Sequence, residues 1–321
     1  KLKQFHKEIK PEIFFLYCAQ SLEWTKEVNN TKKFCPLIEL PYLNSKLWLD
    51  FALKKRFQYK SLYKRLFAIL NLYINYFAQK KIIKLFRKCH FKAHVSYDYY
   101  NFLKNKDIEK IKYYDHPVED IKPENLSKIK KKFTKQIDSI DKKKFKIILV
   151  GRLSTITYLQ YEYLQNKIIP EILKNEFVRN NIEIRLVGSE KNDDFNKLYS
   201  YEFVKHLGYV DDFEKELIES DLYLCPSPKP LGSRSRLNEG MAYGCCISTS
   251  IHDQKADPNL IDGSNCFISK HPNDYVDTIE KLIKNPTLKI SIMQNAFNTY
   301  KSKFEKSIAC SEYEKDIITL L

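Results

Sequence analysis

The polar turn Gly232-Ser233-Arg234-Ser235-Arg236, with Glu239 shortly after it, is the part of this chain best equipped for chemistry. Two arginines can hold an anion through paired hydrogen bonds, and backbone N–H groups at a helix start favour phosphate. A carboxylate one turn further in can accept hydrogen bonds from sugar hydroxyls. An apolar run, Leu222–Cys225, enters this turn through Pro226-Ser227-Pro228. A second run, Cys245–Thr249, follows Gly244. The unit reads as strand, anion-binding turn, helix, strand. Plainer readings exist for the same charges. Glu239 would stabilise a helix start by ~0.3–1 kcal/mol, and the arginines would be solvated loop charges.

The elements that must position these residues lie in the second half. All seven glycines fall from Gly151 to Gly263, so a backbone that cradles phosphate is expected there. Phe145–Val150 reads as a strand ending in Gly151-Arg152, Ile182–Val187 as a strand ending in Gly188, and Val204–Leu207 as a short strand ending in Gly208-Tyr209-Val210. Helices are expected over about 158–174, over 212–219 with Asp211 as its cap, over 272–284, and from Pro286 with a break near Lys306. Strands alternating with helices predict an α/β fold with a parallel, doubly wound sheet, whose ligands sit at the carboxyl ends of the strands.

The first half differs. Residues 1–150 carry 34 Lys+Arg against 15 Asp+Glu, and residues 151–321 carry 21 against 25. The excess points to an anionic partner of the first half, or to lysines that are merely solvated. Glu12–Ala19, Ala93–Tyr97 and Lys110–Tyr114 read as strands. Phe51–Cys89 reads as a long helical region, apolar over Leu66–Ala78 except for Asn71 and Asn75, with basic clusters on both sides. It would suit a membrane interface. A core helix with charged ends is the preferred reading, because helices apolar nearly all round are usually buried. Residues 119–144 are Lys-rich and glycine-free, and read as a linker plus an exposed helix. The eight cysteines contain no CxxC pair. They read as small buried hydrophobes in a reducing compartment, and no zinc site is expected. No secretory signal and no apolar run of ~18 residues is seen.

Six pieces, in order, resemble the donor domain of GT-B glycosyltransferases, especially the retaining family 4 (group 1) type, over about residues 145–304. They are Val150-Gly151-Arg152-Leu153, Leu186-Val187-Gly188, Val204–Val210, Ser220–Ser227, Glu239–Gly244 and Asp262-Gly263-Ser264-Asn265. The resemblance implies two Rossmann-like domains. Residues 1–117 would be an acceptor-side domain, short or truncated, since the chain begins on Lys1 and lacks the usual N-terminal glycine-rich loop. Residues 118–144 would be a linker, 145–304 the nucleotide-sugar domain, and 305–321 a last helix crossing back to the first domain. It also implies that Glu239 binds the ribose hydroxyls. Arg152, with Arg234 and Arg236, would neutralise the donor diphosphate, and Gly151, Gly208, Gly232 and Ser233 would line the donor. Two departures stand out. The acid that often lies eight positions before the helix carboxylate is Leu231 here, and residues 153–166 hold no basic residue where the family often has a lysine. These leave donor-sugar identity and stereochemistry open.

The expected activity is therefore transfer of a sugar from a nucleotide sugar, of UDP or GDP type, to a glycan or lipid-linked acceptor in cell-surface polysaccharide or lipopolysaccharide synthesis. No cofactor and no metal are expected, since arginines and helix ends take the place of a divalent cation. An anionic membrane surface is a candidate partner of the basic half, at the inner face of the plasma membrane. No nucleic acid is expected. A non-catalytic binding protein and a nucleotide-sugar 2-epimerase on the same fold are the alternatives.

Overall fold

The computed structural model describes residues 11–16, 22, 25, 31–35, 62–134, 144–152, 155–188, 190–230, 232 and 235–320. The chain divides into two compact units, Lys1–Tyr114 with Glu312–Leu321, and Asp115–Ser311.

The first unit is built on a parallel sheet ordered β1-β2-β3-β4: Ile13–Phe15, Lys32–Cys35, Phe91–His94 and Ile111–Tyr113. Parallel neighbours require crossovers. Helix α1, Leu62–Phe86, leads into β3, and α2, Tyr97–Lys104, joins β3 to β4. Successive residues of a strand face opposite sides, and β2 shows it. Cys35 joins the cluster of Leu16, Ile82, Ile83, Phe86 and Leu103. Phe34 joins Phe91, Ala93 and Tyr114, against which Tyr313 and Ile317 pack. Among the described side chains of α1, those of its second half meet this core. Leu66, Ile69, Leu70, Tyr73, Ile74, Tyr76 and Phe77 are 39–63% exposed. The core-helix reading of this segment is thus corrected for its first half: an apolar pattern on all sides does not say which side finds a partner. The part of that reading before Leu62 lies outside the described residues.

The second unit holds six parallel strands in the order β10-β9-β8-β5-β6-β7. They are β5 Phe145–Val150, β6 Ile182–Val187, β7 Val204–Gly208, β8 Leu222–Cys225, β9 Cys246–Ser250 and β10 Phe267–Ser269. The order reverses between β5 and β8, which makes the carboxyl ends of these two strands the natural ligand crevice. Ile147 and Leu149 of β5 feed one core and Ile148 and Val150 the other, so helices cover both faces, as a buried parallel sheet requires. Helix α3, Pro123–Thr134, belongs to this unit. Its Asn125 and Ile129 are buried, so the segment read as a linker with an exposed helix instead covers a sheet face with its one apolar stripe.

Further helices are α4 (Thr155–Tyr163), α5 (Phe213–Glu219), α6 (Ser235–Ala242), α7 (Pro272–Lys284) and α8 (Pro286–Thr299). A π-helical turn, Leu164–Ile168, carries α4 on into a helix ending at Lys174. Asp212, not Asp211, caps α5, its carboxylate accepting from the Lys215 N–H at 2.9 Å. After a π-turn at Tyr300–Phe304, α9 (Lys306–Leu320) closes the chain. Its Asp316 accepts from Lys112 Nζ at 2.5 Å and from the Tyr114 hydroxyl, within the first unit.

Candidate functional site

Three strand ends form the floor of the crevice. Gly151 N–H donates to the Val187 carbonyl at 2.9 Å, and Gly188 N–H to the Gly208 carbonyl at 2.6 Å. Gly151, Gly188 and Gly208 therefore stand in a row at the ends of β5, β6 and β7. Gly188 has φ +95°, a conformation that side chains rarely tolerate, and a Cβ there would lie 3.4 Å from the Gly151 backbone. Gly188 and Gly208 are partly exposed there, whereas Gly151 is buried with the Thr157 side chain packed over it. Arg152 stands exposed beside Gly151, at the β5–β8 reversal.

On the β8 side the chain leaves through Pro226 and the buried Ser227. Gln160 of α4, itself buried, donates to the Cys225 thiol at 3.1 Å and the Ser227 hydroxyl at 3.4 Å. It ties the first turns of α4 to the end of β8. Lys229 lies two residues further on, and its partial burial lowers the pKa of its ammonium. Gly232 is buried with φ +76°. Ser233, Arg234 and Leu231 lie outside the described residues.

Helix α6 then rises against the sheet. Gly240 makes this possible, because a Cβ there would come within 3.0 Å of both Tyr223 and Ile247. The close approach sets the height of Glu239, one residue earlier. The Arg236 guanidinium lies 3.7 Å from Glu239 Oε2 and 5.8 Å from the centre of the Phe213 ring. That separation from Glu239 is an ion pair and too long for a hydrogen bond. Glu239 Oε2 is buried and has no hydrogen-bond partner. The rest of the side chain still reaches solvent, at 34% exposure. Burial pushes the Glu239 carboxyl above its ordinary range, with Arg236 and His116 partly offsetting the effect.

The neighbouring Asn238 repeats the pattern. It is buried, its amide donates to the His116 carbonyl at 3.5 Å, and its Oδ1 has no partner. Two adjacent acceptors on one short helix thus lack donors. A buried unpaired acceptor costs about 1–3 kcal/mol, more when charged, and such costs persist where a ligand supplies the missing donors.

Of the residues singled out by sequence, the structure aligns Gly151 with Gly208 through Gly188, and pairs Arg236 with Glu239. Gln160, Asn238, Lys229 and His116 were missed as site neighbours. Lys229 was legible as a cation in the right loop. The other three carry no pattern signal, because only the register of α4 on β8, and of α6 on the chain at His116, brings them in. Among the described residues no cluster of three or more His, Cys, Asp or Glu is placed to hold a metal ion.

Residues 144–285 match the family model described as "Glycosyl transferases group 1". No curated protein matches the chain in sequence. Solved structures share the fold at low identity. The Anabaena protein HepE in complex with UDP is 13% identical, with 99% of this chain and 81% of that one covered and a TM-score of 0.69. Sucrose-phosphate synthase from Thermosynechococcus elongatus is 13% identical, covering 100% and 77%, with a TM-score of 0.65. The lipopolysaccharide outer core galactosyltransferase WaaB is 14% identical, covering 100% and 78%, with a TM-score of 0.63. With two parallel α/β sheets, the protein has the GT-B fold, and its residues 144–285 resemble the group 1 glycosyltransferases.

Proposed function

We propose that the protein transfers a sugar from a nucleoside diphosphate sugar to a glycan or lipid-linked hydroxyl in cell-surface polysaccharide or lipopolysaccharide synthesis, acting from the cytoplasmic side. The buried, donorless Oε2 of Glu239 is the observation that carries this reading. A ribose diol would supply two O–H donors to it, and to Asn238 Oδ1 beside it. Gly151 and Gly208 line the donor in this reading, and Arg152, Arg236 and Arg234 supply charge for its diphosphate. A UDP-type donor agrees with the UDP and UDP-glucose complexes of HepE.

In the transfer, the bond from the sugar's anomeric carbon to the distal phosphate oxygen breaks, and a bond to the acceptor oxygen forms as its proton leaves. Negative charge grows on the departing diphosphate. Preorganised cations aimed at that charge lower the barrier, because they act more strongly there than on the ground state. The same cations make the reaction independent of divalent metal, with retention at the anomeric carbon as the stereochemistry that goes with this domain type.

Calorimetry with UDP, GDP, ADP and CMP tests the binding. One nucleoside diphosphate is expected to bind, and Glu239→Ala to weaken it. Binding of none, or unchanged affinity in the variant, would remove Glu239 from the donor site. Binding with no transfer to any acceptor would leave a sugar-nucleotide binding protein. Transfer is expected to persist in EDTA; its loss, with rescue by Mg²⁺, would overturn the leaving-group assignment.

A further inference from the structure

Helix α1 contains no acidic residue, and none occurs between Asp50 and Asp98, a stretch that holds twelve lysines and arginines. At 3.6 residues per turn its exposed positions fall on one side. Leu66, Ile69, Leu70, Tyr73, Ile74 and Phe77 make this face apolar for three turns. Lys80 and Lys84 continue it to the helix end at Phe86, Lys88 follows in the next turn, and all three are exposed. The opposite side carries Gln79, Ile82, Ile83 and Phe86 into the core of the first unit. Lys80 sits 4.4 Å from the centre of the Tyr76 ring, at the junction between the apolar and basic parts.

A contiguous apolar patch of this extent on a soluble surface marks an interaction site. What covers it must accept apolar side chains along three turns and anions along the next two. An acid-free basic tract offers no repulsion to a uniformly anionic surface. Lysine stems can lie along apolar matter while their ammonium groups reach phosphate. No described helix is long and apolar enough to cross a membrane, so α1 would lie in the plane of the surface. We propose that this face of α1 docks the protein on a lipid bilayer with anionic headgroups. Leu66, Ile69, Tyr73 and Phe77 sink into the headgroup boundary, and Lys80, Lys84 and Lys88 bind the lipid phosphates. This stands on the first unit alone and does not depend on the nucleotide reading.

Co-sedimentation of the full chain with phosphatidylcholine vesicles, with and without phosphatidylglycerol, tests it. Binding is expected only with the anionic lipid, and should fall as salt rises. Lys80→Glu, Lys84→Glu and Lys88→Glu together are expected to cut partitioning by about 100-fold or more. Ile69→Ser, Tyr73→Ser and Phe77→Ser together should weaken it at every salt concentration. These side chains are exposed, so circular dichroism and the thermal melt should stay as in the parent. Failure of the unaltered protein to sediment with anionic vesicles overturns the proposal, as does full binding by both triple variants. A lipid-free dimer that the serine variant dissociates, without vesicle binding, would show that a second copy covers the face instead.

Discussion

The two units use the same parallel α/β construction for opposite ends. In the second, both sheet faces are covered, and the proposed donor site lies at strand ends marked by Gly151, Gly188 and Gly208. The first has no glycine at all up to Tyr114. It exposes one side of a helix, apolar and then basic. Strand ends with arginines and buried acceptors beside them suit a small anionic ligand held at defined positions. A long side of flexible lysines and exposed rings suits a broad surface without fixed geometry. The residue types thus follow the kind of contact: glycine, arginine and buried acceptors in one unit, lysine and aromatics in the other.

The sharpest way to break this division is Glu239→Ala. Hydrogen bonds to a charged group contribute ~1.5–3 kcal/mol, so nucleotide affinity is expected to fall about 10–150-fold, with vesicle binding unchanged. Calorimetry and co-sedimentation on the same preparation check both halves of that statement. The lysine reversals on α1 are expected to do the converse. A variant on either unit that changed both properties would dissolve the comparison.

Next in size is Gly240→Val. The added side chain must displace Tyr223 and Ile247, which costs about 1–3 kcal/mol in a close-packed core. Chemical denaturation should show that loss, and nucleotide affinity should fall with it, because α6 is pushed off the sheet. Full affinity at reduced stability would separate the seating of α6 from the site. Arg236→Ala should then weaken a nucleoside diphosphate by about 1–2 kcal/mol while leaving the bare nucleoside little changed, since a side chain that meets phosphate adds nothing without phosphate. Equal losses for both ligands would place Arg236 elsewhere.

The smallest effect is a pH signature. Burial raises the Glu239 carboxyl in the folded protein. The folded state therefore holds this proton more tightly than the unfolded chain does. The stability this gives is complete below the unfolded value and is lost as pH rises through the folded one. Glu239→Gln keeps the shape without the charge. In the absence of ligand it is expected to melt above the parent at neutral pH, and with the parent at pH below about 4. Equal melting temperatures at neutral pH would mean that the carboxylate is solvated or paired, and would weaken its assignment as a site held open for a donor.

Much of the second unit was legible before any coordinates. Phe145–Val150 and Ile182–Val187 are apolar runs closed by glycine, and both appear as strands with those bounds. Pro272–Lys284 opens on proline, ends before Asn285-Pro286, and is a helix over that span. Local chemistry suffices in such places. It sufficed less at Asp211-Asp212, where either carboxylate could cap and backbone direction chose the second. It did not suffice at Ile251–Ala256, which is not among the expected helices and forms a short one capped by Ser250.

By itself, then, the sequence determined the strand–helix alternation of residues 145–284, the place of the glycines, and the order of six motif pieces, the fifth of which opens on Glu239. These depend on residue type and spacing, which act over a few positions of chain. Tertiary structure alone decided that Glu239 Oε2 and Asn238 Oδ1 are buried without donors, that Gln160 reaches Ser227, and that α3 is a wall of the second unit. It alone left Leu66, Ile69, Leu70, Tyr73, Ile74 and Phe77 of α1 exposed. Burial and hydrogen-bond satisfaction are properties of what packs against a residue, and those neighbours lie tens to more than a hundred positions away in the chain.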